Sequence, residues 1–310
     1  MTPSNILYLN DLIDVECQSL WEDSHQSSDL LHPGAHRYIS YFDTTHLSLN
    51  EAVIFSVVKY QIKVNAEKGR FMLNGKTYFP ITIRKCQRKY VPFLSQETIR
   101  KCFSKLCEKS ILERLDDDCT PGKRKNKHLV WYTLTNVTRS YIERLESLRI
   151  ACKENKEKGL TACFKDENRI YPFDPYLAAD IGLKESIILQ QIHFWLRHNL
   201  KEQRNIYNNR VWTYNSLSDW QAEYFKFMSL SALKRAFRNL RNRNLLLTSC
   251  HNKKSYDRTL WYTINYKLLE EHSNGFLKFD WKNFCFLPTE KYQKYGDIRM
   301  HRKRIFTFDK

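Results

Sequence analysis

The first 36 residues hold no lysine and no arginine, against six acids: Asp11, Asp14, Glu16, Glu22, Asp23 and Asp29. A second stretch lacks the opposite sign, since residues 225–256 contain no Asp or Glu and eight Lys or Arg. No apolar run nears the roughly 18 residues of a membrane-crossing helix, and Met1-Thr2-Pro3 opens no signal peptide. Cys-x-x-Cys is absent, as is any Cys/His cluster with structural-zinc spacing. The nine cysteines are therefore expected as reduced thiols of a cytoplasmic protein, some, such as Cys102, filling core positions as small apolar residues.

Catalytic signatures are also missing. There is no Gly-x-Ser-x-Gly, and no His-x-His pair beside a tyrosine, as strand-nicking chemistry would need. Gly75-Lys76-Thr77 looks like the end of a phosphate-binding loop, but Arg70 stands where that loop requires its first glycine. His193 and His198 lie five apart on a helical pattern, so they do not share a face as a metal pair would, and His193 reads as a satisfied core histidine. A non-enzymatic chain with no metal and no cofactor is the expectation.

What is present is positive charge. The chain carries a formal +17, and without its acidic start the remaining 274 residues hold 51 bases against 28 acids. Such an excess suits a polyanion, with nucleic acid ahead of an anionic membrane.

Also present is a duplication. Residues 47–60 and 181–194 align at an offset of 134, and the match continues through Asn74/Asn208, Tyr78/Trp212, Ser95/Ser229, Ile99/Leu233, Phe103/Phe237 and Leu106/Leu240. Both copies close on Trp-Tyr-Thr, at 131–133 and 261–263, where the offset has fallen to 130, so copy one carries four extra residues just upstream. A repeat of about 100 residues fixes the architecture as two domains of one fold.

In copy two the apolar spacing predicts a helix from Leu183 to about Leu200, a strand around Val211-Trp212-Thr213, and a short helix opened by the capping box at Ser216. A second helix, capped by Ser229, should run to about Asn244 with a core stripe of Leu233, Ala236, Phe237 and Leu240. Strands at Leu245–Thr248 and Thr259–Asn265 flank a basic loop. Copy one follows the same plan, with helices at about 48–63, 82–89 and 95–109, and strands near 76–81, 111–115 and 128–136. The order describes a mainly α protein with small β-hairpins (α+β), built as two tandem winged helix-turn-helix domains. The expected divisions are an acidic arm at 1–40, domains at 41–150 and 173–275, a charged linker at 151–172 and a basic tail at 276–310.

Opposite the core stripe, the second helix of copy two presents Ser231, Lys234, Arg235, Arg238 and Arg241. A helix with one face in a core and the other all basic suits a DNA major groove, with its first half near base edges and its remaining bases on phosphates. Ordinary solvated faces mix acids with bases, and this one has none. The equivalent face of copy one holds Gln96, Thr98, Arg100, Lys101 and Lys105, interrupted by Glu97. The wings add Lys123, Arg124, Lys125 and Lys127 in copy one, and Lys253, Lys254 and Arg258 in copy two, suited to backbone or minor-groove contact. Trp131, Trp212, Trp220 and Trp261 fit the packed positions of strands and helices better than a stacking surface for bases.

The run Ile181–Leu196, with Trp212-Thr213-Tyr214-Asn215, Asp219-Trp220-Gln221 and Asp257–Ile264, resembles the winged-helix replication proteins of bacterial phages and plasmids, of the replisome-organiser or initiator type. The resemblance covers about 90 residues of copy two and implies binding of double-stranded DNA, with Lys234, Arg235 and Arg238 reading. A transcriptional regulator of a mobile element would use the same surfaces. A protein-interaction module is the reading of another class, and the acidic arm is the segment suited to a protein partner. No membrane partner is expected.

Overall fold

A computed structural model describes residues 37–115, 128–157, 170–254, 256–273, 275 and 277–290. Residues 1–36 of the expected arm and the first expected wing, with Lys123, Arg124, Lys125 and Lys127, lie outside these residues, as does the tail from 291 onward, while residues 37–40 of the expected arm form a strand. The chain is an α+β protein with small antiparallel sheets, and it divides into two compact units, one running from Tyr38 to Tyr171 and the other from Pro172. Among the described residues no helix is long and apolar enough to cross a membrane.

Unit one begins with a strand, β1 (Arg37–Ser40), a short helix, α1 (Tyr41–His46), and the long α2 (Leu49–Glu67). Ser48 and Glu51 start α2 with a reciprocal capping box, which satisfies two of the orphan amides of a helix start. A hairpin follows, β2 (Met72–Leu73) and β3 (Lys76–Thr77), then β4 (Phe79–Ile81). Next come α3 (Ile83–Lys89) and α4 (Gln96–Glu108), capped by Thr82 and Ser95. β5 (Leu112–Arg114) and β6 (Val130–Leu134) complete a three-stranded sheet in the order β4-β6-β5, and α5 (Asn136–Glu157) closes the unit.

Unit two repeats the plan. β7 (Ile170–Phe173), α6 (Pro175–Ile181) and α7 (Leu183–Lys201) correspond to β1, α1 and α2. The hairpin β8 (Ile206–Tyr207) and β9 (Arg210–Val211), then β10 (Thr213–Tyr214), α8 (Leu217–Glu223), α9 (Leu230–Asn242), β11 (Leu246–Ser249) and β12 (Trp261–Ile264) correspond to β2 through β6. The sheet order is again edge, centre, edge: β10-β12-β11, all antiparallel. α2 and α7 have 19 residues each, α3 and α8 seven, α4 and α9 thirteen. The unit ends with α10 (Tyr266–His272) and a hairpin, β13 (Leu277–Asp280) with β14 (Cys285–Pro288).

The shared supports are side-chain hydrogen bonds as well as apolar stripes. Asn65 donates to the Tyr78 carbonyl at 2.8 Å, and Asn199, 134 residues later, donates to the Trp212 carbonyl at 2.7 Å. Gln87 donates to the Leu94 carbonyl and Gln221 to the Met228 carbonyl, fixing the turn between the two consecutive helices. Both β2–β3 and β8–β9 turn through two positive-φ residues, Asn74-Gly75 and Asn208-Asn209, the geometry of a tight hairpin that asparagine and glycine accept most readily. The supposed phosphate-loop glycine, Gly75, is thus a hairpin turn, and Lys76 beside it pairs with Glu113 at 2.7 Å.

Ile99, Cys102, Phe103 and Leu106 from α4, and Leu233, Ala236, Phe237 and Leu240 from α9, are buried. Full burial of a large apolar side chain contributes about 1.5–3 kcal/mol. Phe103 stacks on Tyr132 at 4.3 Å, and Phe237 meets Tyr262 edge-on at 5.2 Å, so the second helix packs on the central strand in both units. Trp131, Trp212, Trp220 and Trp261 are buried too.

The helix α5 runs to Glu157 and β7 begins at Ile170, at the two ends of the segment expected as a charged linker. Two expectations need correction. The strand expected at 76–81 is divided into β3 and β4, because Lys76 and Thr77 pair with β2 whereas Phe79–Ile81 pairs with β6 in the three-stranded sheet. Nor is 276–310 a tail throughout: β13–β14 is part of unit two's core. Phe279 stacks on Tyr266 at 4.1 Å, and Phe284 lies parallel to His193 at 5.7 Å. The alternating apolar pair Leu277 and Phe279 is overshadowed in the sequence by the basic residues beyond 290. His193 itself is fully buried, its Nδ1 2.8 Å from the Tyr266 hydroxyl.

Candidate nucleic-acid interface

The exposed face of α9 is positioned by what lies beneath it. Four buried apolar side chains at helical spacing orient the helix, and Ser229 caps its start by accepting from the Ala232 amide. Ser231, Lys234, Arg235, Arg238 and Arg241 are thereby all exposed. Ser231 shares a 3.1 Å hydroxyl contact with Ser229. The side chains of Lys234, Arg235, Arg238 and Arg241 make no ion pair with any described residue. The first turn contains no acid, so the amide dipoles of the helix start and its side chains add to one positive field.

Four bases within two turns repel one another by a few tenths of a kcal/mol per i,i+4 pair. Arg243, the C-cap of the helix, is exposed and donates to the Asp180 carbonyl at 3.0 Å.

The loop between β11 and β12 carries Lys253, Lys254 and Arg258, all exposed. Asn252, which carries no signal in the sequence, organises it: its amide donates to the Asp257 and Thr259 carbonyls at 2.7 and 2.8 Å, and its oxygen accepts from the Trp261 indole at 2.6 Å. His251 is stacked on Tyr207 at 4.3 Å and lies edge-on to Trp212 and Trp261. The Thr259 amide holds the Asp257 carboxyl below its usual value. The loop is therefore a built element that presents bases.

In unit one the same helix is arranged differently. α4 has an acid in its first turn, Glu97, and this residue pairs with Arg100 at i+3 and with Lys101 at i+4, the latter at 3.6 Å. Lys105 lies 3.7 Å from the buried Glu51, which also takes Lys109 at 2.8 Å. Burial alone would push the Glu51 carboxyl up, but Lys109 and the Ser48 amide and hydroxyl outweigh it and hold the group below the usual carboxylate value. Gln96 donates to Gln87 at 3.2 Å, and the Thr98 and Ser95 hydroxyls meet at 2.8 Å. Every polar side chain expected to face a partner from α4 has an internal one.

Unit one keeps its free bases elsewhere. On α3, Arg84, Lys85, Arg88 and Lys89 are exposed, and none is ion-paired with a described residue. The signal is legible in the chain: residues 68–96 contain no acid and seven Lys or Arg, an acid-free block like that of 225–256 but placed one helix earlier. In unit two, α8 is acidic where α3 is basic, with Asp219 and Glu223.

Among the described residues no group of His, Cys, Asp and Glu could hold a metal ion. Cys86 and Cys102 are buried thiols, pushed up by burial to about 12 and about 11, which disfavours the reactive thiolate. The chain matches no family model, no curated protein and no solved structure.

Proposed function

We propose that the chain is a non-enzymatic protein of two tandem winged helix-turn-helix units that binds double-stranded DNA, with α9 as the sequence-reading helix. The observation that carries this reading is the exposed face of α9: four bases without acidic partners, oriented by a buried stripe and backed by a basic loop. Arginine and lysine there have the donors for guanine edges and for phosphates, and a helix of thirteen residues fits a major groove. Three helices and a three-stranded antiparallel sheet in each unit are the parts a winged helix requires. The process we infer is replication initiation or organisation on a mobile element, in keeping with the resemblance of residues 181–264.

Selection of binding sites from a pool of random duplexes tests it. Enrichment of a defined motif, with affinity falling steeply between low and physiological salt as counterions are released, is the expected result. A flat salt response with no enrichment would sink the proposal. Clustered direct repeats of the motif would fit an origin, and a single site over a promoter a regulator.

A further inference from the structure

We infer that unit one grips the DNA phosphate backbone through α3, leaving base reading to unit two; this rests on the DNA-binding reading above. Four of the seven residues of α3 are Arg84, Lys85, Arg88 and Lys89. Arg84 with Arg88, and Lys85 with Lys89, are i,i+4 neighbours of like charge, an arrangement that costs a helix a few tenths of a kcal/mol per pair. Arg84 and Lys85 stand in the first turn, where the helix dipole favours acids, and no acid is there. Cys86 is the residue α3 buries, so all four bases stay in solvent, Lys89 resting over the Tyr90 ring at 5.2 Å. A face that is unfavourable for the isolated helix on two counts becomes favourable against a row of phosphates.

The occupant is assigned by charge and by what α4 lacks. A helix that reads bases needs donors not already engaged, and on α4 Arg100, Lys101 and Lys105 face Glu97 and Glu51. The Gln96–Gln87 hydrogen bond brings the start of α4 to the same side of the unit as α3. Among the described residues, the surface that unit one offers is thus made of long flexible cations with no base-reading companion on α4. That chemistry fits the backbone of duplex DNA, independent of sequence.

The test uses the full chain, the selected duplex and an unrelated duplex, with affinity measured across a salt series. The variant R84Q/K85Q/R88Q/K89Q should weaken binding to both duplexes about equally, by tenfold or more at low salt, leaving their affinity ratio unchanged. Its log–log salt slope should fall by roughly 0.9 for each phosphate no longer neutralised, so by as much as about 3–4. The pairs R84Q/R88Q and K85Q/K89Q should each give part of that change, which separates missing phosphate neutralisation from a misfolded helix. R235A/R238A should do the converse and collapse the ratio. Unchanged affinity and slope in the α3 variant, while the native chain still binds, would overturn the inference and leave the acidic residues 1–36 to be tried as occupant of the face. A loss confined to the selected duplex would overturn it as well, since α3 would then be reading bases. Failure of the native chain to bind either duplex would instead remove the underlying DNA reading.

Discussion

α4 and α9 are one helix made twice, with equal length, a serine cap and the same four-position buried stripe, yet their solvent faces differ in kind. Position 97 is the pivot. Glu97 draws Arg100 and Lys101 onto itself, whereas Ser231, its equivalent 134 residues on, leaves Lys234 and Arg235 to solvent. The carboxylates beneath them diverge in the same direction. Glu51 holds Lys105 and Lys109, while Glu185 takes the amide of Asn239 at 2.9 Å, and Arg243 donates to the Asp180 carbonyl. Packing constrains the inner face of a duplicated helix, because removing a single methylene there costs energy at once. Nothing comparable constrains the outer face, so that is where two copies can take up different work.

The comparison can be broken most forcefully at the shared supports. N65A and N199A should each destabilise their own unit by about 1–3 kcal/mol, since a buried carbonyl, of Tyr78 or Trp212, loses its donor. Chemical denaturation with a probe in each unit measures this, and a cost in one unit alone would show that the supports are not equivalent. Exchanging the pivot residues should have a smaller effect, on DNA affinity. S231E should weaken binding about tenfold, within the roughly 1–3 kcal/mol of one base-reading interaction. E97S, by freeing Arg100 and Lys101, should tighten it a few-fold. Equal responses at both positions would mean that the two helices face DNA alike.

The smallest effect concerns pH. Because Glu51 titrates below its ordinary value of 4.5 in the folded chain, its stabilising contribution is present above that value and is lost as pH falls through the folded one. The native chain should therefore be more stable than E51Q at neutral pH, and the gap should narrow in acid. Thermal unfolding of both proteins across that range checks it; a constant gap would mean that the Glu51 charge contributes nothing beyond its shape.

Much of the architecture is legible in the chain. The offset of 134, the serine caps and the stripes on α4 and α9 follow from local rules, helical period and capping chemistry, which act within a few residues. The β13–β14 hairpin is not legible, because the residues that justify it, His193 and Tyr266, are far from Phe279 and Phe284 in sequence. The two-residue hairpin turns at 74–75 and 208–209 are marked by their asparagines but hidden in short polar runs. The α3 bases are visible as an acid-free block at 68–96, yet the repeat points to α4, the helix equivalent to α9, and away from them.

By itself the sequence determined the duplication, the helices and the sign of the charge, because periodicity, caps and composition are properties of neighbouring residues. Only the tertiary structure decided which charges distant in sequence become partners. Glu51 and Lys109 are 58 residues apart, and Lys76 and Glu113 are 37 apart. An ion pair depends on distance in space, over a few ångströms, and only folding brings such residues that close.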